Sequence, residues 1–130
     1  MNKGKILVVD DEMGLVELIK GQLEYAGYGV VVAYNGPDAL QKAASETPAL
    51  VILDIKIPVM DGLEVLRKLR NIPEAYNIPI IMFTQVGETR GIFEAQDLMA
   101  TDYIIKPFSL KKLIGMVDKH MKAGRLIDTE

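Results

Sequence analysis

The chain has 130 residues, 49% hydrophobic and 25% charged, which suits one packed domain and is too short for two. Fifteen basic against eighteen acidic residues leave a net charge of −3, which argues against a nucleic-acid-binding surface. The absence of cysteine excludes disulfides, thiolate metal sites and cysteine catalysis, and no apolar run approaches the ~20 residues that span a bilayer. The N-terminal MNKGK leads into an apolar run too short for a signal peptide, so the expectation is a cytoplasmic protein with no membrane partner.

The first apolar run, Ile6–Val9, is short, aliphatic and non-alternating, as in a strand buried on both faces, and it runs straight into Asp10, Asp11 and Glu12. Leu15, Leu18, Ile19 and Leu23 then share a helical face, with Gly27 as its stop. Val30–Ala33 reads as a second strand, and Pro37, after Gly36, suits the first position of a helix over Pro37–Glu46. The third run, Leu50–Leu53, ends on a carboxylate, Asp54. Asp61 with Glu64 makes a capping-box-like start for a helix over Gly62–Arg70. Ile78–Phe83 is a fourth strand leading to Thr84, and a weaker helical pattern with Gly91 inside it covers Glu88–Leu98. Tyr103–Ile105 is a fifth, ending at Lys106. Ser109 caps a last helix whose stripe is Leu110, Leu113, Ile114, Val117 and Met121. The expected domain is 1–124, with a polar, frayed tail over 125–130. His120 reads as solvated, and the scattered methionines as packing.

Strand and helix alternate five times, which predicts an α/β sandwich around a parallel sheet with right-handed crossovers. In open parallel sheets the ligand site lies outside the carboxyl ends of the strands, where the winding direction switches. In the flavodoxin-like order 2-1-3-4-5, an order that comes with the fold class and not from these residues, the first and third strands are neighbours. Asp10, Asp11 and Asp54 then lie side by side, flanked by Thr84 and Lys106. Three close carboxylates repel, and a hard divalent cation such as Mg²⁺ is the natural counter-charge. A cation-bound carboxylate beside an ammonium and a hydroxyl is set up to receive a phosphoryl group, with Asp54 as nucleophile.

VVDDE at 8–12, LDIKIPVMDG at 53–62, the strand ending in Thr84, and DYIIKPF at 102–108 stand in order. On these residues the chain, over 5–121, resembles the receiver domain of two-component response regulators, of the chemotaxis-regulator-like kind. The resemblance implies a flavodoxin-like (βα)5 three-layer sandwich and a signalling switch in a phosphorelay, not a conventional enzyme. Asp54 is then the phosphoacceptor, taking the group from a phosphohistidine on a sensor histidine kinase or histidine phosphotransfer protein. Asp10, Asp11, Asp54 and the backbone carbonyl of Lys56 become the Mg²⁺ (or Mn²⁺) ligands. Lys106 and Thr84 contact the phosphoryl group, Lys106–Pro107 is a cis peptide, and Thr84 with Tyr103 is the switch. The surface of the fourth helix, fifth strand and fifth helix reads out the state by population shift. The output falls to a downstream effector or to an output domain outside this chain, and dimerisation on phosphorylation stays open.

Two positions depart from the family's habit, and a third falls where the family varies. Gln85 stands where a small residue usually follows the switch threonine, Met99 where glycine is common, and Lys56 at a variable position. Lys56 and Gln85 are therefore candidates for tuning the phosphoryl lifetime. One alternative is a degenerate receiver that only binds partners, against which the intact acidic set and Lys106 argue. A haloacid-dehalogenase-like phosphohydrolase needs a second Asp two residues past the nucleophile, where this chain has Lys56, and a cap domain for which there is no room. A flavodoxin needs a Ser/Thr-rich phosphate loop after the first strand, which is absent.

Overall fold

Five runs of aliphatic residues pair edge to edge into one parallel sheet, because none has a polar face to offer water. The computed structural model describes residues 3–85, 87 and 89–128. Its strands are β1 (Lys5–Val9), β2 (Gly29–Ala33), β3 (Leu50–Asp54), β4 (Ile80–Gln85) and β5 (Asp102–Lys106), in the order β2-β1-β3-β4-β5. The helices are α1 (Met13–Tyr25), α2 (Gly36–Glu46), α3 (Gly62–Leu69), α4 (Thr89–Asp97) and α5 (Leu110–Asp128). This is the flavodoxin-like (βα)5 sandwich expected above. None of the helices is long and apolar enough to cross a membrane, among the described residues.

The two-residue period of the strands divides the core into two layers. Leu7, Val9, Val51, Leu53, Ile80 and Met82 face α2, α3 and α4, packing on Ala43, Val65, Leu66, Leu69 and Ala95. Ile6, Val8, Leu50, Ile52, Ile81, Phe83 and Ile104 face α1 and α5, packing on Val16, Ile19, Leu23, Leu113 and Val117.

Several boundaries differ from the sequence expectation, each for a local reason. β4 starts at Ile80 and not Ile78, since Pro79 cannot donate to the ladder and its carbonyl instead accepts from Val51 N–H. α1 buries Val16, Ile19 and Leu23, while Leu18 is 53% exposed, so the buried face is turned from the one the leucines suggested. α2 begins at Gly36 because the Asn35 side chain accepts from Asp38 N–H and caps it, which moves Pro37 to the second helical position. Asp61 caps α3 by accepting from Glu64 N–H at 3.0 Å, yet Glu64 turns to Arg67 and not back to the cap, so only half of a capping box forms. α5 runs from Leu110 to Asp128, with Leu113, Val117 and Met121 of its stripe buried against the sheet. Residues 129 and 130 lie outside the described residues. Gly27 does stop α1, with φ +104.

The loop between β3 and α3 carries strain. Met60 N–H bonds the Pro58 carbonyl at 2.9 Å, closing a three-residue turn on Val59, which has φ +72 and is 88% exposed. A β-branched residue at positive φ costs ~1–2 kcal/mol, less what glycine loses in chain entropy. Val59→Gly is expected to stabilise the protein by about 0.5–1 kcal/mol, read as a higher urea midpoint at unchanged slope. A midpoint that falls would show that the Val59 conformation is not strained.

Candidate functional site

At the carboxyl edge of the sheet, β1 and β3 are adjacent, with Val9 opposite Leu53 in register. The residues that follow, Asp10 and Asp54, therefore emerge together on the face that carries α1 and α5. Asp10 is 0% exposed and Asp54 5% exposed. Lys106, at the end of β5, places its Nζ 2.8 Å from Asp10 Oδ2 and 2.9 Å from Asp54 Oδ2. Each carboxylate has its other oxygen fixed locally: Asp10 Oδ1 accepts from Glu12 N–H at 3.0 Å, and Asp54 Oδ1 from Lys56 N–H at 3.1 Å. The two acids are thus held in parallel fashion, one oxygen on a backbone amide and one on the shared ammonium. Lys106 Nζ also lies 5.4 Å from the centre of the Phe83 ring. Lys106–Pro107 is cis.

Asp11 is exposed and completes the cluster, in which one carboxylate oxygen each from Asp10, Asp11 and Asp54 lies within 4.8 Å of the others. All-oxygen donors with one carboxylate open to water suit a hard, partly hydrated divalent cation. Burial raises the Asp54 pKa above the ordinary carboxylate range, and the Asp10 charge adds to this, while Lys106 and the Lys56 N–H pull against it. Burial works to lower Lys106, but its hydrogen bonds to Asp10 and Asp54 outweigh that and raise it.

Thr84 and Tyr103 belong to the other face of the sheet. Thr84 follows Met82 in strand period and is 1% exposed, and Tyr103, paired with Met82, packs against the α2–α4 layer. Thr84 Oγ1 and Tyr103 Oη are both buried without a hydrogen-bond partner. Burial, with the Asp102 charge, raises the Tyr103 pKa. Gln85 is exposed and sits opposite Lys106 in register. It joins Glu12, Leu15, Lys106, Pro107 and Phe108 in lining a groove of about 530 Å³ beside the carboxylates. The sheet edge thus brings Asp10, Asp11, Asp54 and Lys106 into one cluster, with Thr84 and Gln85 beside it and Tyr103 further back along β5.

Three features were not anticipated. Gly62 is required by close approach: a Cβ there would lie 2.0 Å from the Asp54 carbonyl oxygen, so the start of α3 rests on the backbone of Asp54 itself. Its place after the Asp61 cap gave no sign of that contact. His120 is not solvated, because its Nε2 lies 2.8 Å from Asp102 Oδ2 and its side chain is 14% exposed. Burial pushes Asp102 up, but His120 and the Tyr103 N–H together bring it below the ordinary range. Arg70 donates to carbonyls of two separate loops, and no local pattern announces such a contact.

Because the folded-state pKa of Asp54 is raised, the native protein binds more protons there than the unfolded chain, and stability falls as pH rises through that interval. Asp54→Asn removes this effect. Without divalent cations the variant is expected to be more stable near neutral pH by on the order of 1 kcal/mol, about 3–5 °C in Tm. The gap should close as pH is lowered toward ~4. Melts at both pH values check this; a variant less stable near neutrality would mean that Lys106 more than compensates for burial.

Comparison with known proteins agrees with this geometry. Residues 6–118 match the family described as "Response regulator receiver domain". The alkaline phosphatase synthesis transcriptional regulatory protein PhoP of Bacillus subtilis is 43% identical over 126 residues, 97% of this chain and 51% of that protein. A probable transcriptional regulator, ycf27, of Cyanophora paradoxa is 42% identical over 113 residues, 87% of this chain and 46% of its own length. The chain therefore spans about half the length of the curated relatives it matches. Among solved structures, a response regulator described as putative from Chloroflexus aurantiacus superposes with a TM-score of 0.86 at 30% identity, covering 92% of this chain and 98% of that one. The chemotaxis response regulator CheY4 of Vibrio cholerae does so with 0.84 at 30% identity, covering 88% and 96%. The match over residues 6–118 and the sheet order together show that the chain belongs to the receiver domains of two-component response regulators.

Proposed function

We propose that the chain is a phosphorylation-controlled switch, in which Asp54 takes a phosphoryl group from the phosphohistidine of a sensor histidine kinase or histidine phosphotransfer protein. The observation that carries this reading is Asp54 itself, nearly buried at a strand end, with Lys106 bound to one oxygen and a backbone N–H to the other. Asp54 attacks phosphorus, the P–N bond breaks, and the imidazole leaves with the electron pair. Lys106 stabilises charge on the transferring oxygens, and the groove beside it gives the donor access. Asp10, Asp11 and Asp54, with the Lys56 carbonyl, would hold Mg²⁺ (or Mn²⁺), which would supply counter-charge to the crowded acids and the phosphoryl oxygens.

The unpartnered hydroxyls of Thr84 and Tyr103 support the switching step. A buried hydroxyl without a partner costs about 1–3 kcal/mol, so a phosphoryl oxygen within reach of Thr84 is a strong attractor. A shift of Thr84 leaves a different environment for Tyr103 on the same sheet face. The changed surface of α4, β5 and α5 then engages a downstream effector or an output domain outside this sequence, with dimerisation through α4 and α5 as one outcome. The protein works in the cytoplasm as a stoichiometric acceptor, catalysing at most its own phosphorylation and slow dephosphorylation.

Two measurements test this. Incubation with acetyl phosphate and Mg²⁺, followed by intact mass, is expected to show one phosphoryl adduct that requires the cation and is absent from Asp54→Asn. An adduct that persists in the variant would place the nucleophile elsewhere, and no adduct on a folded protein would favour the partner-binding alternative. Lys56 is exposed next to Asp54, and Gln85 is exposed across from Lys106; both stand where water reaches the acyl phosphate. Lys56→Asn and Gln85→Ala are each expected to change the dephosphorylation rate roughly 3–10-fold, the worth of about one hydrogen bond. Unchanged rates in both would remove these residues from the mechanism.

A further inference from the structure

Lys106 stands on β5, at the edge of the sheet, yet its ammonium bridges acids at the ends of β3 and β1. With neighbouring strands about 4.8 Å apart, Asp54 is two strands away and Asp10 three, so the side chain must run sideways across β4. Register fixes which residue of β4 it crosses. Gln85 pairs with Lys106, and Phe83 pairs with Asp54. Phe83, two residues before Gln85, therefore shares a sheet face with both Lys106 and Asp54. Lys106 Nζ accordingly lies over the Phe83 ring, 5.4 Å from its centre, and the ring is wholly buried. Phe108, two residues past Lys106, packs on the same ring, with centres 4.8 Å apart and planes at 33°. The lysine thus crosses β4 on an aromatic floor.

The ring offers a contact of a kind that the carboxylates do not. Asp10 and Asp54 hold Lys106 as free anions, and these ion pairs must loosen once Asp54 carries a phosphoryl group or a cation takes its oxygens. The electron-rich face of Phe83 is the same before and after. The Lys106 side chain is only 15% exposed, a partly desolvated setting in which attraction between a cation and a ring face is strengthened. We propose that Phe83 is a positioning residue for phosphoryl transfer, its ring holding the Lys106 ammonium above β4 so that it meets first the Asp54 oxygen and then the phosphoryl oxygen from one place. Packing alone would ask only for an apolar group at this position; holding the ammonium asks for a π face. The proposal rests on the phosphoacceptor reading for the reaction, but the contact between ring and ammonium exists in the resting protein.

Replacing Phe83 in the full chain by mono-, di- and trifluorinated phenylalanine tests it, because fluorine drains charge from the ring face with little change in shape. The probe reaction is uptake from acetyl phosphate with Mg²⁺, followed by intact mass over time. In it Asp54 attacks phosphorus, and acetate leaves with the electron pair of the broken P–O bond. The rate is expected to fall stepwise along the series, by about two- to tenfold at the trifluorinated ring. Phe83→Leu, apolar but without a ring, should lose at least as much. A rate that stays flat along the fluorinated series would overturn the proposal, since packing survives fluorination. A second readout needs no phosphate. In the resting protein, the ring current should move the Lys106 ε-methylene proton resonances upfield of their ordinary position, and Phe83→Leu should abolish the shift. Unshifted protons in the wild type, or a shift that survives Phe83→Leu, would overturn the contact itself. If Phe83→Leu does not fold, the fluorinated series decides. Should the wild type take up no phosphoryl group, the phosphoacceptor reading fails, and the ring-current shift alone judges whether Phe83 holds Lys106.

Discussion

Lys106 sits between the carboxylates of Asp10 and Asp54, and the remainder of the site is arranged around that contact. Two nearly buried acids on adjacent strands cannot both stay ionised without a counter-charge, and the lysine is the one that the fold supplies. Such a buried ion pair adds little net stability, because desolvation of three charged groups offsets most of the attraction. Its effect is on geometry. Each acid is pinned at one oxygen by a backbone N–H two residues on and at the other by the same ammonium, so Asp54 is oriented before any reactant arrives. Gly62 extends this order into the backbone, since α3 can start against the Asp54 carbonyl only without a side chain.

The sheet separates two groups of polar residues. Asp10, Asp54 and Lys106 continue the strand positions that face α1 and α5, while Thr84 and Tyr103 continue those that face α2, α3 and α4. In the same layer Arg70 ties the end of α3 to the Met99 carbonyl after α4. Val59, in the loop after Asp54, and Met99, after α4, have positive φ, as does Thr47 after α2. All three adopt the left-handed conformation that glycine tolerates best.

How far these features could be read from the chain depends on their range. Continuous apolar runs identified all five strands, because a strand buried on both faces has a one-dimensional signature, and the charges at the ends of the first, third and fifth put Asp10, Asp11, Asp54 and Lys106 at one edge. Boundaries slipped where a side chain or a proline changed the hydrogen-bond partner, as with Asn35 before α2 and Pro79 before β4. In α1 the leucines suggested a buried face that the structure turns, since Val16 and Leu18 are equally plausible until the sheet beneath them is placed. His120 read as solvated because helical periodicity says nothing about Asp102 on a neighbouring strand.

The sequence by itself determined the class of fold, the acidic cluster and its lysine, since apolar periodicity and the position of charges relative to strand ends are local properties. Only the tertiary structure decided which oxygen meets which donor, which hydroxyls are left without a partner, and why Gly62 is required. It alone revealed that one arginine ties α3 to the end of α4. These are contacts between residues far apart in the chain, and their distances are set by how helices settle on a twisted sheet, which no local pattern encodes.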